Sequence, residues 1–417
     1  MSSSNRKHAR VEESSSMSSD KHSRRRSSNK KRRSSSSSSL KTSSSSSSSS
    51  STTPGGVFGR CASIARFGTL DCIGKGTYGT VYRAVDQAEN KVYALKRVIL
   101  HNEKSDGFPT TSVREIRILK SISHPNIVQL HDVIVGEGRD DVFLTFEYCE
   151  HDMSTLLQSF RRTTSSTSSS SSSSSPYDCK FGKGGVKRLM LGLLSGLKHL
   201  HERLIIHRDL KMSNLLYNSR GVIKIADFGM SRFIPQPIEH AHLSPKVMTL
   251  WYRAPEMMLG CETYDTAVDV WSLGCIFVEL WTGKPLFRGN DDLQQLSIIF
   301  NCLGAPNETS WPSLNTFKNI KNINLKPVVP TKEKSLNYIM SKTIMNSPNV
   351  GISMIASLLF YDPMKRPSAE SLLLHSYFDE TPLPLAEYMM PTFACSHVIK
   401  RDDKRKPKQR GNKGKKR

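Results

Sequence analysis

The sequence predicts an α+β fold of two lobes, a smaller one built on strands followed by a larger one built mainly on helices. Two observations predict it. Apolar segments of strand length, broken by glycine-bearing turns, crowd into residues 67–149, whereas beyond Asp265 apolar residues recur at helical spacing. The two patterns follow one another instead of alternating, which argues against a single doubly wound sheet.

Taken in order, ordered structure is expected to begin near Phe67. FGTLDCIGKG, GTVYRAVD and VYALKRVIL read as strands separated by turns. VREIRILKSI carries apolar residues at helical spacing behind a Pro-Thr-Thr-Ser start, and VFLTFEY is an apolar strand. Residues 163–175 are Ser and Thr only, so an insertion over about 161–176 is expected to be disordered between two helices. GVKRLMLGLLSGLKHLHE reads as a long helix, HRDLKMSN as a loop, and NLLYN and VIKIAD as short strands. AVDVWSLGCIFVELW, DDLQQLSIIFNCLG and GISMIASLLF read as helices of the second lobe, which is expected to span 150–378.

The formal net charge is +23, and it sits mainly at the ends. Residues 1–53 carry a net +9 and residues 379–417 a net +6. This basicity speaks of location and partners more than of the central domain. Residues 1–53, with RRRSS, KKRRSS and a serine run, cannot bury enough apolar surface to offset backbone ordering and read as a disordered tail. That tail is either a solubilising segment or a phosphorylatable nuclear-targeting one centred on Arg24–Arg26 and Lys30–Arg33. Residues 379–417 read as a second basic tail. The 8 cysteines form no CxxC pair, which leaves a zinc site without support. With no apolar run of membrane length and no apolar leader, the expectation is a reduced intracellular protein without a membrane partner.

Gly74, Gly76 and Gly79 have the G-x-G-x-x-G spacing, a weak signal that dinucleotide-binding chains share. Here Val81 and Tyr82 continue a strand where a dinucleotide fingerprint would open a helix. A glycine hairpin of this kind can lie over nucleotide phosphates. Lys96, on an apolar strand, is either a surface lysine or a point charge for those phosphates, and Glu115 could pair with it from the following helix. The most specific stretch is His207-Arg208-Asp209-Leu210-Lys211-Met212-Ser213-Asn214, followed by Asp227-Phe228-Gly229. In this order Asp209 would accept the proton of a substrate hydroxyl and Lys211 would stabilise the moving phosphoryl group. Asn214 and Asp227 would hold Mg2+ through hard oxygen donors, beside ATP.

On these motifs the sequence resembles the eukaryotic protein kinases over roughly Phe67 to Phe378, which implies their bilobal fold: a small, mainly antiparallel β N-lobe and a larger helical C-lobe. Ala254-Pro255-Glu256 resembles the family's APE motif, whose Glu256 is expected to pair with Arg366. Asp269 resembles the buried helix aspartate that supports the catalytic loop. Pro109-Thr110-Thr111-Ser112-Val113-Arg114-Glu115, TLWYRAPEMMLG and IIFNCLGAPNETSWP resemble the cyclin-dependent kinases, nearest the PITSLRE and PISSLRE branches. The resemblance implies Phe146 as gatekeeper, hinge contacts to adenine from Glu147 and Cys149, and a ribose contact from Asp152. Ile73, Val81, Ala94 and Leu216 would sandwich the base, although each also suits a plain core position. Thr249 resembles the threonine that bridges catalytic aspartate and lysine in serine/threonine enzymes. Val247, Met248 and Arg253 resemble a pocket for proline after the phosphorylated residue, so Ser-Pro and Thr-Pro proteins are the expected substrates.

The resemblance also implies regulation. Arg114, Arg208 and Arg232 are placed to grip a phosphate, and Ser244 stands where relatives carry an activating threonine. Pro245 follows it, which suits a proline-directed activating kinase. Thr77 and Tyr78 resemble inhibitory phosphosites, or simply fit the hairpin. A cyclin is the expected partner, needed to swing Glu115 toward Lys96. Two rival functions remain open on the sequence: a catalytically weak cyclin-binding scaffold, and a protein binding RNA or a nuclear import receptor through its basic ends. The intact catalytic set argues against the first, and the lack of interleaved aromatics makes RNA secondary. The branches resembled act in transcription, RNA processing and cell-cycle control, so the expected location is the nucleus, with or without a cytoplasmic pool.

Overall fold

The computed structural model describes residues 61–68, 70–76, 79–99, 108–138, 141–166, 180–235, 243, 249–322, 335–343 and 348–395. Six strands form the sheet of the smaller lobe: β1 (Ala62–Ser63), β2 (Asp71–Gly76), β3 (Gly79–Val85), β4 (Val92–Val98), β5 (Leu130–Val135) and β6 (Val142–Glu147). Their order is β1-β5-β6-β4-β3-β2, antiparallel throughout except where β1 pairs in parallel with β5. Among the described residues the first strand, β1, lies ahead of the expected start at Phe67. One face of the sheet buries Phe67, Ala84, Tyr93, Leu95, Ile134 and Phe143 in a small core of its own.

Helix α1 (Thr110–Ser121) crosses beside this sheet. Its start has no side-chain cap: Pro109 is the N-cap, and its carbonyl accepts from Ser112 and Val113. The Thr-Thr-Ser run therefore lies inside the first turn instead of capping it. Ile118 and Leu119 face the core, while Val113 is half exposed.

In the larger lobe β7 (His151–Asp152) leads into α2 (Met153–Ser166). This helix runs six residues into the segment expected to be disordered from residue 161; the rest of that insertion lies outside the described residues, as do residues 1–53. α3 (Gly182–His201) is followed by β8 (Ile205–Ile206), β9 (Leu215–Tyr217), β10 (Ile223–Ile225) and β11 (Arg232–Phe233). β10, β9 and β7 form one short sheet, and β11 pairs with β8. Then come α4 (Pro255–Met258), α5 (Ala267–Thr282), α6 (Asp292–Leu303), α7 (Leu336–Thr343), α8 (Pro348–Leu358) and α9 (Ala369–Leu373). α5 carries apolar residues on every side and is buried from Ala267 to Trp281, taking Asp269, Ser272 and Glu279 into the interior with it. It ends where Gly283, at φ +66°, donates to the Glu279 carbonyl. No helix among the described residues is long and apolar enough to cross a membrane.

The expected basic tail from 379 onward needs a correction. Residues 379–395 pack on the larger lobe, with Met390 buried and Phe393 among aromatic rings. The reason is visible in composition: every basic residue of 379–417 lies at 400 or beyond, and 379–395 is apolar enough to dock.

Candidate active site

The site is assembled on three supports. The first is the sheet of the smaller lobe. Pairing of β3 with β4 sets Val81 opposite Lys96, and pairing of β4 with β6 sets Ala94 opposite Phe146. The glycine hairpin closes where Gly76 faces Gly79. Gly79 sits at φ +150°, and a Cβ there would lie 2.3 Å from the Arg97 carbonyl oxygen, so no other residue fits. Lys96 Nζ lies 2.7 Å from Glu115 Oε1 and 2.9 Å from Asp227 Oδ1. Burial alone would lower the Lys96 pKa, but the charges of Glu115 and Asp227 outweigh it and raise it. Burial would raise the Asp227 pKa, yet Lys96 holds it below the usual carboxylate value. The structure therefore describes the paired state of α1, with Glu115 already against Lys96.

The second support is α5. Asp269, fully buried, accepts from the main-chain N–H of His207 at 2.8 Å and of Arg208 at 2.9 Å, and lies 3.1 Å from His201 Nε2. It holds Arg208 at φ +66°, a left-handed conformation unfavourable for an L-residue that carries a Cβ. Tyr264 and the Met230 carbonyl each accept from the buried Arg208 guanidinium at 2.8 Å. Asp209 follows directly. Its Oδ2 accepts from Lys211 Nζ at 2.6 Å and Asn214 Nδ2 at 3.0 Å, and its Oδ1 from the Thr249 hydroxyl and N–H, each at 3.2 Å. Lys211 and Thr249 thus meet through Asp209, one on each oxygen. Asn214 also donates to the Asp209 carbonyl at 2.8 Å, so both amide hydrogens are committed and its oxygen remains the group to present to a cation. Asp227 likewise adopts φ +66°.

The third support lies on the side where adenine is expected. The Glu147 N–H is given to the Gln129 carbonyl, and its carboxylate accepts from Gln129 N–H at 2.8 Å and Lys224 at 2.9 Å. Any adenine contact from Glu147 therefore runs through its carbonyl. Cys149 is buried, which pushes its thiol up to about 12. Asp152 accepts from Thr155 N–H at 2.8 Å, capping α2, and pairs in register with Leu216. Ile73 and Val81 flank the hairpin and are partly exposed.

Glu256 and Arg366 form a buried two-pronged pair at 2.6 and 2.7 Å. Arg253 donates to Asp292 at 2.6 Å. Arg232 sits near Arg208 and Arg114; burial first, then those two charges, lowers its pKa to about 10. Thr77, Tyr78, Ser244, Val247 and Met248 lie outside the described residues. Sequence reasoning missed Tyr264, which fixes Arg208, and Glu279, which accepts from the Tyr252 hydroxyl at 2.6 Å. Neither lies in a recognisable motif, and each acts across a long sequence separation.

The family model described as "Protein kinase domain" matches residues 67–378. The chain is 41% identical over 331 residues to "Probable cyclin-dependent kinase 10" of Dictyostelium discoideum, covering 79% of this chain and 84% of that protein. It is 42% identical over 346 residues to "Cyclin-dependent kinase G-2" of Oryza sativa subsp. indica, covering 83% of this chain and 46% of that one. Against "Cyclin-dependent kinase 11B" of Mus musculus the identity is 40% over 354 residues, with coverage of 84% and 42%. The chain thus spans most of the first relative but under half the length of the other two. Among solved structures, the "yeast RNA Pol II CTD kinase CTDK-1 complex" superposes with a TM-score of 0.66 at 32% identity, covering 81% of this chain and 100% of that one. With a family match across the whole two-lobed domain and relatives of this kind, the chain belongs to the protein kinases, in the cyclin-dependent kinase family.

Proposed function

We propose that this chain is a cyclin-dependent, proline-directed serine/threonine kinase that transfers the γ-phosphoryl group of ATP to Ser-Pro or Thr-Pro sites in proteins. The observation that carries this reading is Asp209, held between Lys211, Asn214 and Thr249, together with the Lys96–Glu115–Asp227 group, whose Asp227 feels the charge of Lys211. Asp209 orients the substrate hydroxyl and takes its proton as the oxygen bonds to the γ-phosphorus and the bond to the departing ADP breaks. Lys211, already charge-paired with Asp209, offsets negative charge on the moving group. Lys96 anchors the nucleotide phosphates and is itself fixed by Glu115.

The residues fit magnesium. Asn214 and Asp227 supply hard oxygens, and no group of three or more His, Cys, Asp or Glu able to cage a metal occurs among the described residues. Such a sparse donor set suits an ion shared with nucleotide phosphates, and when bound it would neutralise charge on them.

A cyclin would hold α1 in the paired arrangement, against its half-exposed Val113 face. Phosphate on Ser244, placed by an activating kinase, would fill the arginine cluster of Arg114, Arg208 and Arg232, where burial first, and then the charges of the other two, lower the Arg232 pKa to about 10. Thr77 and Tyr78 would be inhibitory when phosphorylated. Residence in the nucleus, through the basic clusters and an import receptor, and work in transcription, RNA processing or the cell cycle complete the reading; RNA contact by the basic ends is secondary. The test is to co-purify the chain with its cyclin and assay phosphate transfer to Ser-Pro and Ser-Ala peptides. Transfer confined to Ser-Pro and lost in Asp209→Asn is expected, with a strong fall in Ser244→Ala. Equal transfer by Asp209→Asn, or equal use of both peptides, would overturn the corresponding part.

A further inference from the structure

Segment 379–395 follows the matched kinase domain, which ends at 378, yet it is bound to the larger lobe along its length. Lys187 Nζ donates to the Glu380 carbonyl at 2.6 Å, Leu385 N–H to the Gly184 carbonyl at 3.0 Å, and the Tyr217 hydroxyl to the Pro391 carbonyl at 2.7 Å. Two glycines leave room for it. A Cβ at Gly184 would lie 2.7 Å from the Leu383 carbonyl oxygen, and one at Gly221, itself at φ +83°, 2.5 Å from Met390 Cβ. Helix α3 and the β9–β10 turn are shaped to receive this segment.

Its end matters most. The Phe393 ring lies 5.0 Å from Phe160, 5.5 Å from Phe181, 6.0 Å from Tyr217 and 6.2 Å from His151. His151 and Tyr217 are register partners in β7 and β9, and the next pair is Asp152 and Leu216. Consecutive side chains on a strand point to opposite faces. His151 and Tyr217, both buried, turn toward Phe393; Asp152 and Leu216, partly exposed, occupy the other face, where ribose and base are expected. The His151 ring is also 3.2 Å from the Phe393 carbonyl. Two residues on, Cys395 Sγ comes within 3.5 Å of the Tyr148 hydroxyl, beside Cys149 in the hinge.

We propose that segment 379–395 is a positioning element of the nucleotide site, with Phe393 as its positioning residue. Phe393 fixes the β7–β9 pair from behind and so sets the height of the floor on which the base rests. The proposal rests on the nucleotide site described above. The catalytic loop hangs from Asp269 on α5, so loss of Phe393 moves nucleotide affinity and leaves the chemical step in place.

The test uses the full chain, in complex with its cyclin for the kinetic measurements. Kd for ADP is measured by calorimetry, together with KM for ATP, kcat and thermal melting, in Phe393→Ala, Phe393→Leu and Tyr388→Ala, the last an exposed residue of the same segment. Phe393→Ala is expected to weaken ADP binding and raise KM for ATP about 10-fold, with kcat within about 2-fold. Phe393→Leu keeps apolar volume but loses the ring contacts, and should lose about 3-fold. Tyr388→Ala should match the unaltered chain. Unchanged ADP affinity in Phe393→Ala overturns the proposal, as does a fall in kcat at constant KM. If the alanine variant does not fold, the leucine variant decides on the same terms. Failure of the folded, unaltered chain to bind ADP would instead remove the nucleotide site itself.

Discussion

Asp269→Asn changes one atom of the site and leaves every nucleotide-facing residue in place. The carboxylate of Asp269 receives two main-chain N–H groups, from His207 and Arg208, one on each oxygen. An amide can accept only one; its NH2 then faces the other N–H, which is left buried and unpaired. Hydrogen bonds to a charged group contribute roughly 1.5–3 kcal/mol each, and an unsatisfied buried donor costs about 1–3 kcal/mol. The Arg208 backbone at φ +66° is also released toward an ordinary conformation, which displaces Asp209. If about 2–4 kcal/mol of this appears as lost transition-state positioning, kcat falls roughly 30- to 1000-fold. KM for ATP should change little, because Lys96, Asp227 and the hinge make no contact with Asp269. The assay is steady-state phosphate transfer by the cyclin complex, run below the melting temperature of the variant. A kcat within about 3-fold of the unaltered enzyme would refute the argument that the two N–H bonds hold the catalytic loop.

Two other substitutions probe the larger lobe. Arg366 uses all its guanidinium hydrogens, toward both Glu256 oxygens and the carbonyls of Ala267, Tyr361 and Phe360. Arg366→Lys cannot reproduce that fork, and should cost about 3–5 kcal/mol by leaving Glu256 poorly paired, or about 6–10 °C in melting temperature. A fall under about 2 °C would contradict it. Burial raises the Glu279 pKa to about 7, against the lowering by its bond to Tyr252 and the charges of Arg161 and Arg288. A carboxyl raised in the folded state binds more protons folded than unfolded, so stability is lost as pH rises from about 4.5 to 7. Glu279→Gln removes that loss. The variant should gain on the order of 3 kcal/mol relative to the unaltered chain between pH 5 and pH 8. Melting curves at both pH values that keep a constant difference would sink the prediction.

The sequence by itself determined the chemistry and the lobe order. His207 to Asn214 and Asp227 to Gly229 are contiguous strings, so their residue types and spacing can be read without knowing what surrounds them. Strand and helix periods are equally local, which is why α3, α5 and α6 fall where apolar spacing places them. Only the tertiary structure decided which distant groups hold these strings in position. Tyr264 on Arg208, Lys224 behind Glu147, and Phe393 behind the β7–β9 pair are joined across tens to hundreds of residues, and no local pattern encodes such a contact. The same limit explains the misread tail. Averaged over 379–417 the charge suggests a basic tail, but 379–395 contributes no basic residue, and aromatic rings on α2 (Phe160), at the N-cap of α3 (Phe181) and on β9 (Tyr217) receive it. Composition reports what a segment can do alone; burial against the rest of the chain decides what it does.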